Sequence, residues 1–100
     1  MSGPAPEVAC RPAHPGEVPS GAGRLLDLAR EHGWTAEATY ARGGAGPVDS
    51  IVVRARRPGV QAAARWVEGK FDAAWWLPLG CAIPEQLGLR ALNRRIKELR

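Results

Sequence analysis

The stretch from Ser50 to Leu77 fixes its own strand register. Arg57-Pro58-Gly59-Val60 spells a tight turn, since proline presets the first central φ and glycine accepts a positive φ at the second. Glu68-Gly69, between Val67 and Lys70, spells a two-residue hairpin loop. Counting outward from these turns sets Ala55 beside Ala62, Val53 beside Ala64 and Ile51 beside Trp66. An unbroken count also sets Trp66 beside Phe71, Arg65 beside Asp72, Ala64 beside Ala73 and Ala62 beside Trp75. Successive strand residues point to opposite faces, so the register sorts every side chain. One face collects Ile51, Val53, Ala55, Ala62, Ala64, Trp66, Phe71, Ala73 and Trp75 and is wholly apolar. The other collects Val52, Arg54, Arg56, Gln61, Ala63, Arg65, Asp72, Ala74 and Trp76, and holds every charge.

The flanking segments supply the covering layer. Ser20 can cap a helix running to about His32, with Leu25, Leu28, Ala29 and His32 on one stripe and Leu26 at its border. Gly33 suits the left-handed position after a helix, and Trp34 can fold back onto the last turn. Thr35 to Arg42 alternates as a strand, and Gly43 to Pro47 is a loop into the three-stranded block. After Pro78 and Gly80, Pro84 suits the first turn of a second helix, with Gly88 dividing an opening turn from the main body. Leu89, Leu92, Ile96 and Leu99 make one apolar stripe there. The order is α-β-β-β-β-α: an α+β fold in which an antiparallel four-stranded meander carries an N-terminal and a C-terminal helix on one face. Val53, Ala64 and Ala73 form a row of small side chains across the apolar face, which suits either a closely seated helix or a ligand groove.

One hundred residues allow one domain, assigned to residues 20–100. Residues 1–19 contain five prolines and little that can pack, and are expected to be a disordered tail, either solvated or a partner-binding arm. Two cysteines, Cys10 and Cys81, make no disulfide framework, and with no apolar leader segment in view a cytoplasmic setting is expected. Cys81 reads as a small buried residue. The longest apolar run, Ala73 to Ile83, is interrupted by Pro78 and Gly80 and is too short to span a bilayer, so no membrane association is expected. The net charge is +4, and Gln86 to Arg100 supplies the excess. Arginine outnumbers lysine twelve to two, and Ala, Gly and Pro abound, as in high-GC bacterial genomes.

No catalytic constellation stands out. His14 and His32 are the only histidines, and the set Cys10, His14, His32 and Cys81 has no zinc-site spacing. The chain is therefore expected to be no enzyme, to need no cofactor or metal, and to have no small-molecule substrate. The charged sheet face is the site candidate. Arg54, Arg56 and Arg65 form a guanidinium cluster with Gln61 beside them and Trp76 near the edge. Arginine and aromatic side chains on an open antiparallel sheet can bind phosphates and stack bases. Equally, a solvated sheet face uses arginine stems to shield small apolar neighbours. Arg90, Arg94, Arg95 and Lys97 on the second helix offer another polyanion surface.

From Leu25 to Arg57 the chain resembles double-stranded-RNA-binding domains. Leu25-Leu26-Asp27-Leu28-Ala29-Arg30-Glu31-His32-Gly33-Trp34 is similar to that family's first helix and the Gly-Trp that closes it, and a glycine-rich loop and an arginine-rich strand follow in order. That family has three strands and a lysine-rich second helix. Here four strands are expected, and Pro84-Glu85-Gln86-Leu87-Gly88 stands at the second position, so no RNA-binding residues carry over. The block from Val52 to Trp76 also resembles small proteins of actinobacterial phages and plasmids, which implies no activity. Two functions are carried forward: a binding or regulatory module contacting nucleic acid through Arg54, Arg56, Arg65 and Trp76 with Arg90, Arg94, Arg95 and Lys97, or a protein-interaction module docking a partner or a second copy.

Overall fold

The computed structural model describes residues 9–43 and 48–98. The expected tail before Ala9, the glycine-rich loop over residues 44–47, and the Leu99 and Arg100 positions lie outside the described residues, as do the side chains of Ala9, Cys10, Arg42 and Val48. The fold is α+β. Its order is β1 (Ala9–Pro12), a 3₁₀ turn (Pro15–Glu17), α1 (Ser20–Glu31), β2 (Thr35–Gly43), β3 (Val48–Arg57), β4 (Val60–Val67), β5 (Lys70–Pro78), β6 (Glu85–Leu87) and α2 (Leu89–Glu98). The six strands form one antiparallel sheet in sequence order.

The β3–β4 register is the expected one: Ile51 opposes Trp66, Val53 opposes Ala64 and Ala55 opposes Ala62. Gly59 takes φ +91 in the first turn, and Glu68 and Gly69 take φ +51 and +82 in the second, which is the left-handed pair a two-residue hairpin demands. The close of α1 is also as expected. Gly33 has φ +84, its N–H donates to the Arg30 carbonyl, and the Trp34 N–H donates to the Ala29 carbonyl at 2.9 Å. This turn folds Trp34 beneath the helix end, where it is buried.

Three differences follow from features that hydrophobic alternation does not encode. First, the sheet has six strands, not four. The segment expected to be a tail carries β1, a short edge strand that ends on a proline, a residue tolerated at sheet edges. A local clasp holds it: Arg11 makes two hydrogen bonds to Glu17, which also accepts from the His14 N–H, and the guanidinium lies 4.3 Å from the Tyr40 ring centroid. The stretch expected to open the second helix is β6, with Leu87 packed against the core. Gly88 separates it from α2 and accepts the Leu92 N–H at 3.0 Å. Second, β5 contains a bulge. Trp66 opposes Phe71, but Arg65 opposes Ala73, so Asp72 has no opposite number. Every later residue is thereby turned over: Ala64 meets Ala74, and Ala62 meets Trp76 rather than Trp75. Third, Cys81 is exposed, not buried.

Both helices share one core with a single sheet face. Leu25, Leu26, Ala22 and Ala29 of α1 and Leu92 and Ile96 of α2 join Ile51, Val53, Ala55, Val60, Ala62, Ala64, Trp66, Ala74 and Trp76. The row of small side chains seats helices, as one expectation had it, with Ala74 in place of Ala73. α1 packs over β2 and β3 and α2 over β5. Approach at the start of α1 is close, since a Cβ at Gly21 would meet the Trp66 indole nitrogen at 3.3 Å.

Two outcomes test this packing. Trp76→Ala is expected to cost about 3–5 kcal/mol in urea unfolding, and Trp75→Ala about 1 kcal/mol or less; the reverse order would demand an unbulged β5. The Arg11 guanidinium lowers the Glu17 carboxyl from its ordinary 4.5 to about 2. A carboxyl depressed in the folded state stabilises above its unfolded pKa and loses that contribution as pH falls toward the folded one. The clasp is therefore expected to release between pH 4.5 and about 2, seen as movement of the His14 amide resonance with a midpoint near the lower value. A midpoint near 4.5, or the same titration in Glu17→Gln, would contradict it.

Candidate functional site

The helices leave the second sheet face uncovered. Alternation aims Arg54 and Arg56 of β3, Gln61, Ala63 and Arg65 of β4, and Trp75 and Leu77 of β5 toward that face. Arg54, Arg56 and Gln61 are exposed, while Arg65, Trp75 and Leu77 are half-buried. The sequence reading placed Trp76 here. The bulge sends it to the opposite face instead, where it is buried with its ring centroid 5.7 Å from that of Trp34. Trp75 takes the open position. No local signal distinguished the two, because Ala73-Ala74-Trp75-Trp76 has the same polarity pattern in either register.

Arg65 and Asp72 pair as expected despite the shift, with Arg65 Nε donating to Asp72 Oδ2 at 2.7 Å. Asp72, the extra residue of the bulge, is exposed and stays within reach of Arg65. The same guanidinium lies 5.2 Å from the Trp75 ring centroid, so Arg65 bridges the carboxylate and the indole.

Beside Trp75 the face is hollow. A concavity of about 450 Å³ is lined by Glu37, Arg54, Arg56, Gln61, Ala62, Ala63, Trp75, Leu77 and Pro84. Ala63 gives it depth, because its small side chain leaves the space that a larger one would fill. Its electrostatics follow from the chain: residues 50–67 and 73–84 contain no carboxylate, and the first segment carries Arg54, Arg56, Arg57 and Arg65. Glu37 is the one acid in the lining, directly opposite Arg54 across β2 and β3. Beyond Leu77 the chain leaves the sheet in the loop Leu79-Gly80-Cys81-Ala82-Ile83-Pro84, where Leu79 and Ile83 are each 83% exposed.

The second predicted surface lies on the other side of the sheet, with α2. Arg90, Arg94 and Lys97 are exposed there. Arg95 is engaged within the fold: it donates two hydrogen bonds of 2.8 Å to the Glu85 carboxylate and lies 5.5 Å from the Trp76 ring centroid. This contact holds the Glu85 carboxyl below the usual range. The fold therefore unites Arg54, Arg56 and Arg65 on one face and sets the α2 cations apart from them.

Among the described residues, no three His, Cys, Asp or Glu side chains gather as a metal-holding group, and no helix is long and apolar enough to cross a membrane. No protein-family model matches the chain, and neither a curated protein nor a solved structure shows significant similarity to it.

Because Arg95 joins β6, α2 and Trp76, Arg95→Ala is expected to lower the thermal midpoint by a few degrees. Arg94→Ala and Lys97→Ala are expected to leave it unchanged, and equal effects from all three would refute the structural assignment of Arg95.

Proposed function

We propose that the chain is a small binding module, not an enzyme, that contacts nucleic acid through its open sheet face. The observation that carries this reading is the company of Arg54, Arg56 and Arg65 with Trp75 on a helix-free face, where the arginines outnumber the neighbouring carboxylates of Glu37 and Asp72. Guanidinium groups bind phosphate oxygens, and an indole offers a stacking surface that any base can use. Arg90, Arg94 and Lys97 are a second, separate polyanion surface behind the sheet, and Arg95 is a structural residue in this reading.

A protein-interaction module is the second reading, and the apolar loop favours it. Leu79 and Ile83 are large side chains left almost wholly in water, an arrangement that marks contact surfaces. It predicts a stable oligomer in sedimentation velocity that Leu79→Ser with Ile83→Ser dissolves.

Fluorescence anisotropy with labelled duplex DNA, single-stranded DNA and duplex RNA at several salt concentrations tests the first reading. The logarithm of the affinity is expected to fall with the logarithm of salt at a slope of about −1.5 to −2, as for two neutralised phosphates. Arg54→Glu with Arg56→Glu, both exposed, is expected to abolish binding, and Arg90→Glu with Arg94→Glu to leave most of it. Absence of binding, or loss only with the α2 pair, would remove the open face from the proposal.

A further inference from the structure

The hollow beside Trp75 has a composition that a flat phosphate-binding surface does not need. Phosphate contact requires cations, whereas this site adds a half-buried indole, the small side chain of Ala63 opposite it on β4, and two side chains able to hydrogen-bond. Its volume of about 450 Å³ falls among small-molecule pockets. Arg65 touches the indole but is outside the lining, so it braces Trp75 without filling the space. Arg54 and Arg56 stand two residues apart on one strand, roughly 7 Å, along the rim. Gln61 and Glu37 offer an amide and a carboxylate at the same rim. Glu37 repels phosphate, yet a carboxylate can accept from the N–H groups on a base edge.

Paired bases are stacked on their neighbours and turn only their edges to a groove, so they cannot present a flat face to the Trp75 indole. An unpaired base can. We propose that the concavity seats one unpaired nucleotide of a single strand, its base against Trp75 and its phosphate at Arg54 and Arg56. This rests on the nucleic-acid reading above and names the form of ligand. The open face thus selects single-stranded over duplex nucleic acid, and Glu37 tempers the affinity.

The test is a competition series on the full chain at one salt concentration, using a labelled ten-residue oligothymidylate, the corresponding A·T duplex and free thymidine monophosphate. The single strand is expected to bind at least about tenfold tighter than the duplex, and Trp75→Ala to lower single-strand affinity by about tenfold, at the low end of one stacked base. Trp75→Phe keeps a stacking ring and is expected to retain most of it. Glu37→Gln is expected to bind more tightly, a gain that a damaged fold would not give. The free nucleotide is expected to compete only weakly, because it lacks the neighbouring phosphates. Salt-dependent binding that is equal for duplex and single strand, or indifferent to Trp75→Ala, would overturn the seat while leaving nucleic-acid contact standing. Thymidine monophosphate binding as tightly as the oligomer would overturn the strand assignment. No binding by any of the three would overturn the nucleic-acid reading itself.

Discussion

Asp72 sits in β5 with no residue opposite, and much of the molecule is arranged around that insertion. A β-bulge adds one residue to one strand and reverses the facing of everything beyond it. Here it delivers Trp76 to the helices, where it meets Trp34 and lies beneath Arg95, and it presents Trp75 to the open face. It also leaves Asp72 within reach of Arg65, which in turn steadies Trp75. The packed side and the candidate site therefore rest on one local irregularity, and neither can be altered there without the other.

The two faces divide their work by side-chain size as well as polarity. On the covered face, small residues of β4 and β5 let the helices sit close, and the buried residues of the resulting core are hydrophobic among the described residues. The ends of that layer are held by polar contacts. The Arg95–Glu85 pair joins α2 to β6, the glycine turn tucks Trp34 under α1, and the Arg11–Glu17 clasp fastens β1. On the uncovered face, small residues have the opposite effect. With no helix above it, Ala63 leaves a hollow walled by longer side chains.

What the sequence made legible was the part governed by short-range rules. Both hairpin turns, the β3–β4 register, the glycine closure of α1, the Arg65–Asp72 pair and the single helix-covered face all follow from φ preference and alternation. Alternation lost its discriminating power at Ala73 to Trp76, where two alanines followed by two tryptophans read the same on either face. β1 was hidden because prolines suggest an unstructured segment, although an edge strand can end on one. β6 has only three residues, too few for any period to show, and its place is set by pairing with β5 and by the Arg95–Glu85 contact from α2 rather than by its own composition. The site was accordingly legible in its arginines and not in its aromatic. Arg54, Arg56 and Arg65 lie before the bulge or opposite it, whereas the tryptophan beside them lies beyond it.

The distribution of tryptophans gives the molecule a built-in optical partition. Trp34, Trp66 and Trp76 are sealed in the core, while Trp75 alone is half-open to water. A dissolved collisional quencher such as iodide reaches one indole of the four, and as an anion it is drawn toward the arginines around that one. The quenchable, red-shifted fraction of the emission thus reports on the open face, and the shielded, blue-shifted remainder reports on the integrity of the core. Occupancy and unfolding can be followed separately in the unlabelled chain.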